Sequence, residues 1–193
     1  MRGLPLDDLV YRAKVGEVTA EELLLVSAAL TDHPERDAYK LLYVLGRAGA
    51  RDQERLVAQF LDAPTDPQVA ALALSILCTH WGLGDRYRAS LLAFLRGRDW
   101  DVLGEARDAA VTAAGEYLRG TVDCEVLEAL LAVAENDDDD LGARFAAEAL
   151  ARALGEGHAS ALPPAGESVE RWTAVVRSRA RTRLNAECPP DQS

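Results

Sequence analysis

The feature that most constrains the fold is a stretch of sequence that recurs every 37 residues. Residues 143–151 align with residues 106–114, with arginine over arginine and alanine over alanine. A second step of 37 residues leads to residues 69–77, which keep the small apolar pattern but lack the arginine. Self-similarity at a fixed period of about 20–50 residues is typical of stacked repeats. The sequence therefore predicts an array of similar helical units, an architecture that commonly presents a surface to a partner.

Apolar residues spaced three and four apart predict amphipathic helices along most of the chain. Aromatic residues make up only 6% of the sequence, while alanine and leucine dominate, which favours closely packed helices over a large sheet. We therefore expect an all-α protein. The predicted helices cover residues 5–15, 20–31, 35–48, 52–62, 67–81, 86–96, 102–118, 123–134, 141–154 and 168–186.

The repeated unit resembles the HEAT repeat. First helices of that family often follow an aspartate and carry Val-Arg before spaced alanines, and a leucine-rich second helix comes next. Residues 106–115 and 143–151 match this pattern best, whereas residues 35–46 are stretched by two. The likeness covers about residues 35–155. It implies a right-handed α-α superhelix whose second helices line the concave face on which HEAT-like proteins usually dock a partner.

Composition divides the chain into four parts. Residues 1–155 are predicted to form the repeat array, with a helical hairpin capping its N-terminal end. Residues 156–167 are rich in proline, glycine and alanine and are expected to form a linker. Residues 168–187 carry apolar side chains four apart and are expected to pack on the last repeat as a C-terminal cap. Residues 188–193 are expected to be disordered.

Acidic residues concentrate in the middle of the sequence. Residues 99–148 contain 14 aspartates and glutamates against 3 arginines, so this segment alone carries the net charge of −11 of the whole protein. Like charges at this density repel one another, and a basic partner would relieve that repulsion. The alternative interpretation is a solvated face that keeps an alanine-rich surface in solution.

The predicted partner-binding residues follow from placing this charge on the second helices. On helix 123–134 the leucines and valines mark the buried side, which leaves the glutamates on the opposite side. The aspartate run extends the acidic surface, two arginines make the preceding second helix basic, and a tryptophan at a turn could anchor an interface. The set is Glu125, Glu128, Glu135, Asp137, Asp138, Asp139, Arg86, Arg88 and Trp100.

The run 136–140 also raises the question of calcium, because hard cations take several carboxylate ligands. The spacing of a calcium loop is missing, however, and an acidic turn that leads into a helix N-terminus fits the run better. We therefore expect no metal and no other cofactor.

Catalytic motifs are missing from the sequence. His33, His80 and His158 are isolated, and the nucleophile-elbow, phosphate-loop, zinc-helix and dinucleotide-binding patterns do not occur. Two enzyme families contain related repeats, the HEAT-like alkylpurine DNA glycosylases and the phycobilin lyases. Trp100-Asp101 loosely resembles the tryptophan and aspartate of the glycosylases, but a charge of −11 opposes binding to phosphates. No residue pattern indicates a tetrapyrrole pocket, so a phycobilin lyase is not expected. Taken with the missing motifs and the negative charge, the sequence predicts neither an enzyme nor a nucleic-acid partner.

Three cysteines, Cys78, Cys124 and Cys188, are widely spaced and odd in number. We expect reduced thiols, two of them buried. No apolar run approaches the length of a membrane span, and residues 1–5 do not begin a signal peptide. The expected location is the cytoplasm, away from membranes.

The expected function is that of a non-catalytic protein-binding module. Lysine is scarce beside arginine, which suggests a GC-rich bacterial genome. Small size, acidic charge and a bacterial composition fit an immunity-type protein that covers a basic toxin, such as a nuclease domain; some immunity proteins contain HEAT-like repeats. A regulatory or scaffold adaptor for another bacterial protein is the main alternative, and a HEAT-like DNA glycosylase is a distant one.

Overall fold

The computed structural model describes residues 5–63, 65–155, 163 and 166–188. Within these ranges the chain is all-helical, without a β-strand, which confirms the prediction of an all-α protein. Two 3₁₀ turns flank α4, and a π-helical turn at Ser75–His80 continues α5. The helices are α1 (Leu6–Val15), α2 (Ala20–Asp32), α3 (Ala38–Ala48), α4 (Glu54–Ala58), α5 (Pro67–Leu74), α6 (Arg88–Leu95), α7 (Glu105–Leu118), α8 (Cys124–Ala134), α9 (Asp140–Ala153) and α10 (Val169–Glu187).

Side-chain caps fix most of the helix starts. Thr19 and Glu22 form a capping box at the start of α2, and the carboxylates of Asp66 and Asp123 accept from backbone amides of α5 and α8. Each cap satisfies an amide that has no partner within its helix. At the start of α9, the Asp139 carboxylate accepts from the Gly142 amide, and Asp140 already belongs to the first turn.

Two first helices begin later than predicted. Helix α3 starts at Ala38 instead of residue 35, because Asp37 has a left-handed backbone with φ of 54°. Helix α7 starts at Glu105 instead of residue 102, because Gly104 is left-handed, with φ of 76°. Residues 102 and 103 are therefore in a turn before the helix. That turn bears on the functional site.

Helix contacts follow a regular order. Helices α1, α3, α5, α7 and α9 pack on one another in series, α6, α8 and α10 do the same, and the two sets contact each other through chain neighbours such as α8 and α9. The buried apolar side chains form a continuous core from Leu9 to Ala180. Small residues let the backbones approach: a Cβ added at Gly115 of α7 would lie 2.8 Å from the carbonyl oxygen of Ala149 in α9.

The C-terminal helix packs back on the helices that precede it. Helix α10 contacts α8 and α9 and buries Trp172, Val176 and Ala180. The Arg183 guanidinium donates to the carbonyl of Ala153 (2.7 Å), at the end of α9. Carbonyls at a helix end lack partners within the helix, so this arginine caps α9 from the neighbouring helix.

The prediction of three reduced thiols is wrong for two of the cysteines. Cys124 and Cys188 form a disulfide, because the first residue of α8 meets the last turn of α10 with a Cα–Cα distance of 5.7 Å. Only Cys78 is a buried thiol, and burial raises its pKa to about 12. The disulfide also removes Cys188 from the predicted disordered tail. The rest of that tail, and all of the predicted linker except residues 163, 166 and 167, lie outside the described residues.

Candidate functional site

The predicted glutamate surface on α8 is bound by arginines of the same chain. We call Asp123, Glu125, Glu128, Glu135 and Asp137 the α8 surface. Glu125 accepts from Arg88 (2.8 Å) and from Arg96 (2.6 Å), both from α6 or its C-terminal end. These hydrogen bonds to arginine lower the pKa of Glu125. The two arginines therefore neutralise the glutamate that was expected to meet a partner.

Asp123 is the most connected member of the α8 surface. Its carboxylate accepts from Arg88 (2.9 Å), from the Tyr117 hydroxyl (3.2 Å) and from the Val126 amide (3.1 Å), and its side chain is only 9% exposed. The bond from Arg88 is the main reason that the pKa of Asp123 lies below its usual range. One aspartate thus caps α8 and ties it to α6 and α7.

Helix α10 neutralises the other end of the α8 surface. Arg181 donates to Glu135 (2.8 Å), and Arg177 lies 4.0 Å from Asp137. Arg86, predicted to bind a partner, instead pairs with Glu54 of α4. Of the α8 surface, Glu128 alone forms no ion pair within the described ranges, and it is exposed.

Two of the polar bonds between helices span the sequence period. The Gln68–Glu105 and Arg88–Glu125 bonds each join residues 37 apart, whereas the Lys40–Asp7 bond joins residues 33 apart. The first two bonds thus join residues at equivalent positions of the 37-residue sequence repeat. Exposed pairs of this kind contribute about 0–1 kcal/mol each. Their main effect is to pair charged side chains whose partners cannot be recognised from the sequence alone.

Three acidic residues that form no ion pair within the described ranges, Asp101, Asp108 and Asp139, lie together near the N-terminal ends of α7 and α9. Asp101 to Gly104 form a tight turn, closed by a bond from the Gly104 amide to the Asp101 carbonyl (3.1 Å). The carboxylate of Asp101 also accepts from the Arg107 amide in the first turn of α7 (2.9 Å). Because the turn is tied to the helix on both sides, the side chains at its tip have a fixed position.

Three apolar side chains at this place are exposed. Val102 and Leu103, at the tip of the turn, are 86% and 83% exposed, and Leu141 in the first turn of α9 is 61% exposed. Together with Asp101, Asp108 and Asp139 they line an open cavity of about 280 Å³. We call these six residues the loop surface.

The loop surface is electrostatically unlike the α8 surface. Partial burial raises the pKa of Asp108, and the negative charges of Asp139 and Asp101 raise it further. Within the part of the chain that the structure describes, none of the three carboxylates forms an ion pair. The positive charge of Arg107, which lines the same cavity, acts on Asp108 in the opposite direction and offsets part of this repulsion.

Trp100 supports the loop surface from behind. Its ring packs edge-on against Phe94 at a centroid distance of 5.8 Å, and the Arg98 guanidinium lies 5.9 Å from each of the two ring centroids. The tryptophan is half-buried at the edge of the core. It therefore anchors the turn, in contrast to the exposed anchor that the sequence suggested.

Histidine, cysteine and metal-ligating side chains do not form a catalytic or metal-binding cluster elsewhere in the described ranges. His33 ends α2, and His80 lies in the π-helical turn, where burial and Arg47 lower its pKa; His158 lies outside the described residues. A groove of about 520 Å³ between Thr79, Phe145 and Arg152 holds acids but no histidine or cysteine. No three metal-ligating side chains come together in the residues that were searched.

Of the nine predicted partner-binding residues, one belongs to the loop surface, namely Asp139. Sequence reasoning missed Val102, Leu103 and Leu141. The signal was available in part, because two apolar residues stand between Asp101 and Gly104, where a polar turn would be usual. Since the predicted helix included these residues, their exposure was not foreseen.

Comparisons with protein-family models, with curated proteins and with solved structures find no match to this chain. None of its described helices has the length and apolar character required to cross a bilayer.

Proposed function

We propose that the protein is a non-catalytic binding module that holds a basic partner protein. The observation that carries the proposal is the division of the acidic segment 99–148. Arginines bind the carboxylates of the α8 surface, whereas Asp101, Asp108 and Asp139 of the loop surface form no ion pair within the described residues and lie beside exposed apolar side chains. A partner that supplies lysine or arginine would relieve their repulsion.

The proposed architecture is a right-handed HEAT-like superhelix with helical caps. The serial packing of α1, α3, α5, α7 and α9, and the polar bonds that span 33 to 37 residues, support it. In such an array each unit contacts its neighbours, so that a rigid and extended surface results. Helices α1 and α2 at one end, and α10 at the other, cover the apolar faces of the terminal units.

Our proposal for the partner is a basic toxin domain, such as a nuclease, which makes this an immunity-type protein. An acidic surface steers a basic protein towards itself and raises the association rate, most strongly at low salt. A regulatory or scaffold adaptor would use the same surface, but its partner would not lose an enzymatic activity on binding.

Affinity capture from the native host tests the proposal. The bait is the wild-type protein, and a matched bait carries asparagine at the three aspartates of the loop surface. We expect a captured protein of basic isoelectric point that the matched bait loses, and whose enzymatic activity the wild-type protein inhibits. A partner that is acidic, or a complex that is insensitive to salt, would contradict the proposal.

We propose the cytoplasm as the location, in agreement with the composition. The Cys124–Cys188 disulfide is more typical of oxidising compartments, where such bonds persist. Alkylation of free thiols in intact host cells distinguishes the two environments. Labelling of both cysteines supports the cytoplasm, and protection of both contradicts it.

A further inference from the structure

The turn Asp101–Gly104 has an unusual composition at its tip. The two central positions of such a turn are normally taken by glycine, proline, asparagine or aspartate. Here they are Val102 and Leu103, and the fold leaves both largely exposed. Because the turn is held by the Gly104 amide and by the Asp101 carboxylate, these side chains cannot fold back into the core without breaking those bonds.

Leu141 extends the apolar surface across the cavity. It belongs to α9, so the apolar side chains come from two successive repeat units. An exposed apolar patch rimmed by charged residues is typical of an interaction site. Asp101, Asp108 and Asp139 line the cavity, and so do Arg107 and Arg98, the second of which pairs with Asp62. The carboxylates outnumber the guanidinium groups, so the rim has a net negative charge.

We propose that the loop surface is the docking centre for a cationic amphipathic segment of another protein, in which an apolar side chain is flanked by lysine or arginine. This inference rests on the proposed function and adds where the partner binds and what it must present. The apolar side chain of the segment enters the cavity between Leu103 and Leu141. The flanking cations lie against Asp101, Asp108 and Asp139, which form no ion pair within the described residues.

Charge argues against the other occupants. A second copy of the chain would place one acidic rim against another, and the net charge of −11 opposes close approach of two copies. Nucleic acids and anionic lipid headgroups would meet the same repulsion. A cationic segment would instead be attracted by the carboxylates of the rim.

The surface is also prepared for binding before the partner arrives. Trp100 packs on Phe94 behind the turn, and the first turn of α9 is fixed by the Asp139 cap. A partner therefore does not have to order the site, and this lowers the entropic cost of association. The fixed apolar side chains at the tip of the turn anchor the partner, and the surrounding carboxylates favour a partner with positive charge.

An NMR titration locates the binding site. The probe is an amphipathic 16-residue peptide of leucine and lysine, added to the ¹⁵N-labelled protein at low salt. We expect it to shift the amide signals of residues 97–108 and 139–145. Two control peptides keep the order of residues, one with glutamate in place of lysine and one with serine in place of leucine. Both should bind about tenfold or more weakly.

Variant proteins separate the apolar centre from the general charge. Leu103→Ser with Leu141→Ser removes two exposed leucines and should weaken the leucine–lysine peptide about tenfold or more, with an unchanged helical circular dichroism spectrum. The matched control is Leu24→Ser with Leu25→Ser, which removes two leucines that are 66% and 52% exposed on α2. That control should bind like the wild type.

The outcomes distinguish this inference from the proposed function. If the leucine–lysine peptide binds but shifts the signals of α8, the loop surface is not the docking centre. The same conclusion follows if the Leu103/Leu141 variant binds this peptide as tightly as the Leu24/Leu25 control. In either case the proposal that the protein binds basic partners stands. If the serine–lysine peptide binds as tightly as the leucine–lysine peptide, the apolar centre is likewise excluded. If neither lysine peptide binds at low salt, the proposed function fails too. If the leucines instead mediate self-association, measured by sedimentation, the occupant is a second copy and the inference is overturned.

Discussion

The α8 surface and the loop surface come from the same acidic segment, yet the fold gives them opposite roles. On the α8 surface, Arg88, Arg96 and Arg181 bind the carboxylates and join neighbouring helices. On the loop surface, the carboxylates line a cavity beside exposed apolar side chains and form no ion pairs within the described residues. A count of charges along a sequence therefore does not tell which charged side chains are paired within the fold.

The largest expected effect concerns α10, whose arginines neutralise one end of the α8 surface. The disulfide between Cys124 and Cys188 closes a loop of 64 residues, and such a crosslink stabilises a fold by about 4 kcal/mol in the chain-entropy model. Replacing both cysteines by serine should lower the free energy of unfolding by that order, measured by urea denaturation. A reductant should lower the free energy of unfolding of the wild type to that of the double variant, and it should leave the free energy of unfolding of the double variant unchanged. An unaffected wild type would show that the disulfide does not hold α10.

The next effect tests whether the α8 surface is structural. Asp123→Ala removes a helix cap and the partner of Arg88 together, so we expect a loss of about 2 kcal/mol in the free energy of unfolding. Asp140→Ala, at an exposed aspartate, should change stability by less than about 0.5 kcal/mol. Equal losses for the two variants would remove the distinction between the surfaces.

The contribution of Asp123 should also depend on pH. Its pKa is lower in the folded than in the unfolded protein, so its ionised form stabilises the fold above the unfolded pKa of about 3.9. This stabilisation is lost as the pH falls through the lowered folded pKa. The ion-pair part of the difference between the wild type and Asp123→Ala should therefore shrink in acid, and a difference that grows in acid would contradict the pairing with Arg88.

A smaller effect compares two glutamates on the same helix. Glu125→Lys places a third cation beside Arg88 and Arg96 and should lower the melting temperature, with the loss reduced by added salt. Glu128→Lys makes the same change of charge at a side chain without an ion pair and should leave the melting temperature nearly unchanged. If both variants melt alike, the arginine pairing of Glu125 contributes nothing.

The smallest effect probes the repulsion within the loop surface. Asp139→Asn keeps an oxygen that can cap α9 but removes one negative charge near Asp108, so the pKa of Asp108 should fall towards its ordinary value. Carbon-detected NMR of the carboxyl groups measures this pKa. Glu128→Gln serves as the control and should leave it unchanged. A pKa of Asp108 that ignores Asp139 would show that the two charges do not interact.

Much of the fold could be predicted, because it depends on local patterns. Apolar spacing placed all the helices, and the side-chain caps of α2 and α5 stand directly before the residues at which those helices were predicted to begin. The late starts of α3 and α7 were missed, because the left-handed backbones of Asp37 and Gly104 do not alter the apolar period. The disulfide was missed because it joins residues 64 apart, whose proximity depends on how α10 packs.

The candidate site was harder to predict, since it depends on which side chains of different helices meet. The sequence located the acidic segment but assigned its free charge to Glu125 and Glu135, whose arginine partners lie 29 or more residues away. Likewise, Leu141 and Leu103 are far apart in sequence and come together through the packing of α7 and α9. A pattern in one helix does not contain this information.

The most direct test of the division between the two surfaces is a comparison of two variants with the same net charge. One variant changes Asp101, Asp108, Asp139 and Asp140 to asparagine, at or beside the loop surface. The other changes Glu125, Glu128 and Glu135 to glutamine and Asp137 to asparagine, on the α8 surface. The measurement is the affinity for the leucine–lysine peptide at a fixed low salt concentration, by isothermal titration calorimetry. Because both variants lose four negative charges, their long-range attraction is matched. We expect the first variant to bind about tenfold more weakly than the second. Equal affinities, or a weaker second variant, would contradict the division.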